Sequence, residues 1–323
     1  MTGSTFKQIN QFFIRFFLIA IIILFCDLAI GTLLKVFYFR QKSGAPFRTT
    51  YSIDSTTAEI LILGSSRANH HYVPEVFEGS LHNTFYNAGR DGNFILYNSA
   101  IFKAITTRYH PKMIIFDINP DEIVYTTNSY ERLSNLLPYY HSHPVIRSTV
   151  NLRNPLEKIK LISSIYPYNS MLTTIAIGNL EYNKQRKSDN KGYVPINIKM
   201  KNERINAVQI DSKKADSRID ENKTVALMDI ITTCKKQKIM LIFVQSPIFV
   251  FNNDSYYNSL FSEMCSENDV SYFDLSNQPI FINHPDYFAD RSHLNDEGAK
   301  VFSAMLIKKI QRTYYKNIDS IYH

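Results

Sequence analysis

Ile60–His70, reading ILILGSSRANH, decides how this chain folds. Glu59–Leu63 (EILIL) is a compact apolar run closed by Gly64, the pattern of a parallel strand buried on both faces. The Gly-Ser-Ser that follows is a small-residue turn at the strand's carboxyl end. Such a turn lifts the Ser66 hydroxyl clear of the sheet and offers its backbone N–H to an oxyanion. By itself a Gly-Ser-Ser turn serves equally as a structural or phosphate-binding turn, so its meaning depends on partners elsewhere.

Outward from this strand the same pattern recurs. Thr84–Tyr86 leads into Asn87-Ala88-Gly89, Lys112–Phe116 (KMIIF) closes at Asn119-Pro120, Lys238–Val244 (KIMLIFV) ends at Ser246-Pro247, and Val270–Leu275 (VSYFDL) makes a fifth run. Helical periods lie between them. Thr224–Lys235 places Val225, Met228, Ile231 and Thr232 on one side. Asn295 caps a last helix whose apolar face holds Val301, Phe302, Met305, Leu306 and Ile310. Strands alternating with helices predict a doubly wound α/β sheet of five parallel strands, with its site at the strands' carboxyl ends.

Two regions stand outside this rhythm. From Phe16 to Cys26 every residue is apolar, and the run continues past Asp27 to Leu34. At ~1.5 Å per residue, residues 16–34 nearly cross a ~30 Å hydrocarbon core, and no small-residue cleavage site follows before Lys35. A retained signal anchor over residues 1–40 is expected, then a polar linker over 41–57 and an α/β domain over 58–323. Lys7 and Arg15 precede the span, whereas Lys35, Arg40, Lys42 and Arg48 follow it, a balance that favours a cytoplasmic C-terminal domain. The second irregular region, 125–223, is too long for an ordinary connection and reads as an insertion or lid between strands three and four. Its Lys184–Lys223 stretch has 11 basic and 6 acidic residues, so most of the chain's +7 charge lies outside the strand-end motifs, on a solvated face.

Composition narrows the function classes. Hydrophobic residues at 45% and charged residues at 20% exclude a disordered chain, and three Cys exclude a disulfide scaffold. No motif accompanies the positive charge, so nucleic acid is not an expected partner. His70-His71 and the Tyr140–His143 stretch lack carboxylates or Cys at ligand spacing, so no metal and no cofactor is expected.

The chemistry concentrates in four places. Asp290 stands three residues before His293, so on one tight turn its carboxylate can orient the imidazole toward a serine. Alone, that spacing is equally a helix cap with an incidental His. Gly92 follows the second strand, where a glycine can turn a bare N–H toward a substrate oxygen. Asn119 follows the third, where its amide can supply another donor beside the Ser66 N–H, giving an oxyanion hole of three. Arg67, Arg90 and Asp117 flank these positions as candidate substrate contacts.

With Gly64-Ser65-Ser66, Gly92, Asn119 and Asp290/His293 in this order, the sequence resembles the SGNH/GDSL hydrolase superfamily over roughly 59–123 and 238–310. The resemblance implies a three-layer flavodoxin-like domain and Ser-His-Asp acyl transfer, with Ser66 as nucleophile, His293 as general base and Asp290 orienting it. Two blocks depart from the family pattern: Ser65 replaces the usual acidic residue, and the usual Gly-x-Asn-Asp reads Asp117-Ile118-Asn119-Pro120. With the anchor, these departures resemble the membrane-anchored branch of DltD-like and alginate-acetylation-type proteins. That likeness implies an esterase or O-acyltransferase working on an acylated envelope glycan. It also implies a membrane-bound O-acyltransferase as partner, a span at residues 16–34 in a bacterial cytoplasmic membrane, and a catalytic domain outside it, against the Lys/Arg balance. The alternative is a catalytically inactive scaffold for polysaccharide assembly.

Overall fold

The computed structural model describes residues 3–180, 190–200, 218–249 and 255–315. The chain begins with helix α1 (Gly3–Arg40) and a second helix α2 (Gly44–Asp54). Then come β1 (Ile60–Gly64), α3 (Ser66–His71), α4 (Pro74–Leu81), β2 (Phe85–Asn87), α5 (Ile95–Thr106) and β3 (Met113–Asp117). After the insertion follow α6 (Glu221–Gln237), β4 (Met240–Gln245), α7 (Ser255–Glu267), β5 (Ser271–Asp274) and α8 (Asp296–Ile310).

All five strands pair in parallel in the order β2-β1-β3-β4-β5, the flavodoxin-like order of a doubly wound sheet. Strand residues alternate between two cores, as period-two geometry requires. Leu61, Leu63, Ile114, Phe116, Leu241 and Phe243 pack on the face covered by α5 and α6. Ile60, Ile62, Met113, Ile115, Ile242 and Val244 pack on the face of α3, α4 and α8. Burial on both faces is why these strands read as continuous apolar runs. The register sets Gly64 beside Asp117, and Asp117 beside Val244, so the first turn and the third strand's last residue meet at one end of the sheet.

Several expectations need correction. The 41–57 stretch is not a free linker: α2 packs on the domain, with Thr49, Ser52 and Ile53 buried and Thr49 hydrogen-bonded to Tyr97. Its apolar residues are sparse, so polar partners in the domain hold it where sequence periodicity gives no signal. On α6, Val225 is exposed, and the buried stripe is Ala226, Leu227, Ile230, Ile231 and Cys234. The sheet lies more than a third of a turn round from the face that the periodicity picked, with Ile231 common to both. Asp220 caps this helix, its carboxylate accepting from the Asn222 and Lys223 N–H groups, so the insertion ends before 223.

The insertion is more than a surface lid. Leu133, Leu136, Leu137, Tyr139, Ile146 and Val150 sit in the same core as the α5 face of the sheet. Its charge run falls largely on residues 181–189 and 201–217, outside the described residues.

α1 is long and apolar enough to cross a membrane, and it is the one such helix among the described residues. Phe12, Phe16, Phe17, Ile21 and Phe25 expose their side chains on it. Further along, its C-terminal part lies against the insertion, where Tyr38 is buried beside Tyr139 and Tyr168.

Candidate active site

Gly64 makes the first turn possible. Its φ of +140° lies where L side chains are strained, and a Cβ there would come within 2.6 Å of the Asp117 carbonyl oxygen. The chain can therefore reverse tightly out of β1 and start α3 at once. Ser66 occupies the first position of α3, where helical geometry leaves its N–H without an intrahelical acceptor.

The turn before α8 brings the other two residues to it. Asn295 accepts from the Gly298 N–H at 3.0 Å and fixes the start of α8. Just upstream, Asp290 folds back on its own turn, accepting from the Ser292 and His293 backbone N–H groups at 2.8 and 3.0 Å. The same carboxylate meets His293 Nδ1 at 2.9 and 3.0 Å, and His293 Nε2 stands 2.7 Å from Ser66 Oγ. An ionised carboxylate only accepts, so Nδ1 carries the proton and Nε2 accepts from the serine hydroxyl. Burial opposes ionisation of Asp290, but hydrogen bonds from His293 and Ser292 outweigh it and hold the carboxyl below its ordinary range. Chemically this is a polarised serine, a base and an orienting carboxylate in hydrogen-bonding sequence.

The two other sequence-predicted donors lie at neighbouring strand ends. Gly92 sits at the third position of a turn closed by the Asn93 N–H on the Arg90 carbonyl at 3.1 Å. Its φ of +66° is the type II geometry that calls for glycine, and a Cβ would press against the Arg132 guanidinium at 3.3 Å. Asn119 is held from both sides. Its backbone N–H donates to Glu122 Oε1 at 3.3 Å, and Gln245 Nε2 donates to its Oδ1 at 3.4 Å. Among the described residues no acceptor engages the Asn119 NH₂. Burial pushes the Glu122 carboxyl up to about 8, against the opposing pull of Arg67.

The three flanking residues are engaged by partners within the protein. Arg67 and Asp117 are buried and paired with each other at 3.4 Å, and Tyr72 donates to Asp117 at 2.7 Å. Position 117 ends a central strand, so its carboxylate points into the protein rather than toward the solvent mouth. Burial raises the Asp117 carboxyl while Arg67 pulls it back. Arg90 is committed to Thr49 and Asn135, where it ties α2 and the insertion to the loop after β2.

Sequence reasoning missed the buried support beneath the dyad. The Leu294 backbone N–H donates to His71 Nε2 at 3.0 Å, so the ring proton is on Nδ1, which donates to Ser246 Oγ at 2.9 Å. His71 thereby ties the turn carrying His293 to Ser246 at the end of β4, which lies 175 residues from His71 in sequence. Burial, helped by the nearby Arg67 charge, holds its pKa well below the ordinary histidine value and keeps it neutral. Its neighbour His70 meets the Val194 carbonyl at 2.6 Å and Asp91 at 3.3 Å. Burial works against Asp91 ionisation, yet hydrogen bonds from His70 and Asn69 hold its carboxyl at about 2. The His-His pair, read in sequence only as a metal possibility, is thus a pair of structural braces. A histidine pair directly after a nucleophile turn was the available signal.

Part of the insertion also reaches this end. Val194 N–H donates to the Asn69 carbonyl, Tyr193 OH donates to Asp296, and Met200 N–H donates to the Phe288 carbonyl. Residues 190–200 therefore run as a strap from α3 across to the turn before α8.

No protein-family model and no curated protein matches this sequence. Among solved structures, the chain is similar to a crystal structure of a "putative acylhydrolase" from Bacteroides fragilis, at 11% identity and a TM-score of 0.35. The match covers 78% of this chain and 86% of that one.

Proposed function

We propose that this chain is a membrane-anchored acyl-ester hydrolase of the SGNH kind, acting on acyl groups of a cell-envelope glycan. The observation that carries the reading is the Ser66–His293–Asp290 sequence of hydrogen bonds at the carboxyl end of the sheet. Ser66 Oγ attacks the acyl carbonyl as its proton passes to His293 Nε2. Asp290 stabilises the imidazolium that forms. The Ser66 and Gly92 N–H groups and the Asn119 amide receive the oxyanion. Collapse of the tetrahedral species returns the proton from His293 to the departing alcohol. Water, activated by the same base, then releases the acid and restores Ser66. A sugar hydroxyl in place of that water makes the reaction an O-acyl transfer. The side chains of His293 and Asp290 are 23% and 43% exposed, and this openness to water favours hydrolysis.

The anchored location rests on the apolar helix α1, and the envelope side of the membrane on the resemblance to the anchored SGNH branch. A membrane-bound O-acyltransferase is the partner this reading carries with it. The test is a fluorophosphonate probe applied to the full chain. Labelling lost on Ser66→Ala supports the enzyme. A folded wild-type chain that resists the probe supports the scaffold reading instead. A reporter fused at His323 that is active only in the cytoplasm overturns the location.

A further inference from the structure

The insertion carries an apolar surface beside the anchor. Leu156, Ile159, Ile162, Leu172 and Leu180 are exposed, Ile162 to 79%. Single exposed apolar residues are ordinary, but a group on one short stretch marks a surface that contacts lipid or protein.

The place of this stretch says which. Asp27, the one charge in the apolar run of α1, accepts from Ser163 Oγ at 2.5 Å, the Ser164 N–H at 2.6 Å and the Ile165 N–H at 3.3 Å. One turn on, Gly31 lies so close to Ser164 that a Cβ there would collide with its backbone. Higher still, Asn179 Nδ2 donates to the Phe37 carbonyl at 2.9 Å. The 163–179 segment is therefore clamped along the helix, with exposed Ile162 next to the Asp27 contact.

Helix length sets the level. At ~1.5 Å per residue α1 is ~57 Å long, far more than the ~30 Å hydrocarbon core. A span at residues 16–34 would carry the turn bonded to Asp27 into the hydrocarbon, so the contacts at Asp27 and Phe37 shift the span toward the N-terminus. It then covers roughly the 15–18 residues before Asp27, with Arg15 reaching to the headgroups, which puts Asp27 and its bonded turn at the bilayer surface. Sliding the span toward the C-terminus only draws the turn deeper, because the two are bonded together. Lys158 and Lys160 alternate with the apolar residues, the composition of a segment lying among anionic headgroups.

We propose that residues 156–180 rest in the headgroup–acyl boundary of the same bilayer that α1 spans, as a second, monotopic membrane contact. This rests on the reading of α1 as an anchor. Two attachments, one through the bilayer and one on it, fix the height and tilt of the catalytic end, which a single flexible tether cannot do. The hydrogen bonds from Ser163, Ser164 and Ile165 also satisfy the Asp27 carboxylate oxygens, which would otherwise meet lipid without a partner.

Spin labels on the full-length chain in phosphatidylcholine–phosphatidylglycerol nanodiscs test this. Cys26→Ser supplies the background, because Cys234 and Cys265 are buried and burial pushes their thiols up to about 12. Labels go on Ile162→Cys, on Leu18→Cys within the anchor, and on Val225→Cys, exposed on α6. The expected result is an oxygen-over-nickel collision ratio at 162 several-fold above that at 225, approaching that at 18. A ratio at 162 equal to that at 225, with 18 in lipid, overturns the membrane contact and leaves the anchor standing. Water-like ratios at both 18 and 162 overturn the anchor reading itself. Shielding of 162 from both reagents means that protein, such as a second copy of the chain, covers the surface, and also overturns the proposal.

Discussion

Asp290→Asn isolates the orienting carboxylate from the turn it also builds. Oδ1 of Asp290 receives the Ser292 and His293 backbone N–H groups, and asparagine keeps that oxygen. The amide NH₂ then takes the place of the second carboxylate oxygen, 2.9 Å from His293 Nδ1, where it competes with the 3.0 Å contact that the retained Oδ1 makes to the same nitrogen. A donor there makes Nδ1 the acceptor and moves the ring proton to Nε2. Nε2 then donates to Ser66 and cannot take its proton. Wrong-tautomer histidine costs ~10⁴ in turnover in serine-triad enzymes, which is about 5.4 kcal/mol of transition-state stabilisation. The stability cost is small by comparison. A charge-assisted bond becomes a neutral one, and at a 43% exposed side chain this is about 1 kcal/mol or less. Hydrolysis of a p-nitrophenyl ester and the rate of fluorophosphonate labelling should both fall together, with the melting temperature nearly unchanged. A variant that melts like wild type and labels within tenfold of its rate would refute His293 as the base.

Asn119→Ala should lower kcat by about 10²–10³ with little change in KM, the cost of one oxyanion donor; an unchanged kcat would remove Asn119 from the site. Glu122 ionises as pH rises through about 8, placing a negative charge beside Asn119 where the oxyanion forms, with Asp117 and Asp121 adding to it and Arg67 opposing it. Activity should therefore decline on a basic limb near that pH, and Glu122→Gln should flatten the limb; a limb that persists in the variant assigns it elsewhere. His71 is neutral in the fold, with its pKa below the unfolded value, so the unfolded chain takes up a proton first on acidification. Its contribution to stability is complete above about pH 6.5 and drains away below it, by at most ~1.4 kcal/mol per pH unit. Melting curves from pH 5 to 8 should be steeper for wild type than for His71→Gln, and parallel curves would contradict the assignment.

The strands were legible because their information is local. An apolar run closed by Gly64, or by Asn119-Pro120, is short and needs no distant partner to be read. Helix caps such as Asn295 were legible for the same reason. Alternation with helices predicts a parallel sheet, whereas the flavodoxin-like strand order was implied only by the resemblance carried by the four motif blocks. What the sequence left open depended on surroundings. Arg67 and Asp117 resemble substrate contacts in sequence, because nothing local shows that a central strand end buries them together. Residues 41–57 read as a linker because α2 has few apolar residues and is held by polar contacts such as Thr49 with Tyr97.

By itself the sequence determined the sheet, the apolar α1 and the residue types gathered at the strand ends. Only the tertiary structure decided that Ser66 and His293, 227 residues apart, meet at 2.7 Å. It alone placed His71 and Ser246 beneath them as a brace, and Asp27 against the turn of the insertion. Periodicity and capping are written in neighbouring residues, whose geometry the backbone fixes within a few positions. Distance between strand ends, burial of a charge and the choice of a ring tautomer depend on which remote groups the fold brings together, and no stretch of sequence carries those alone.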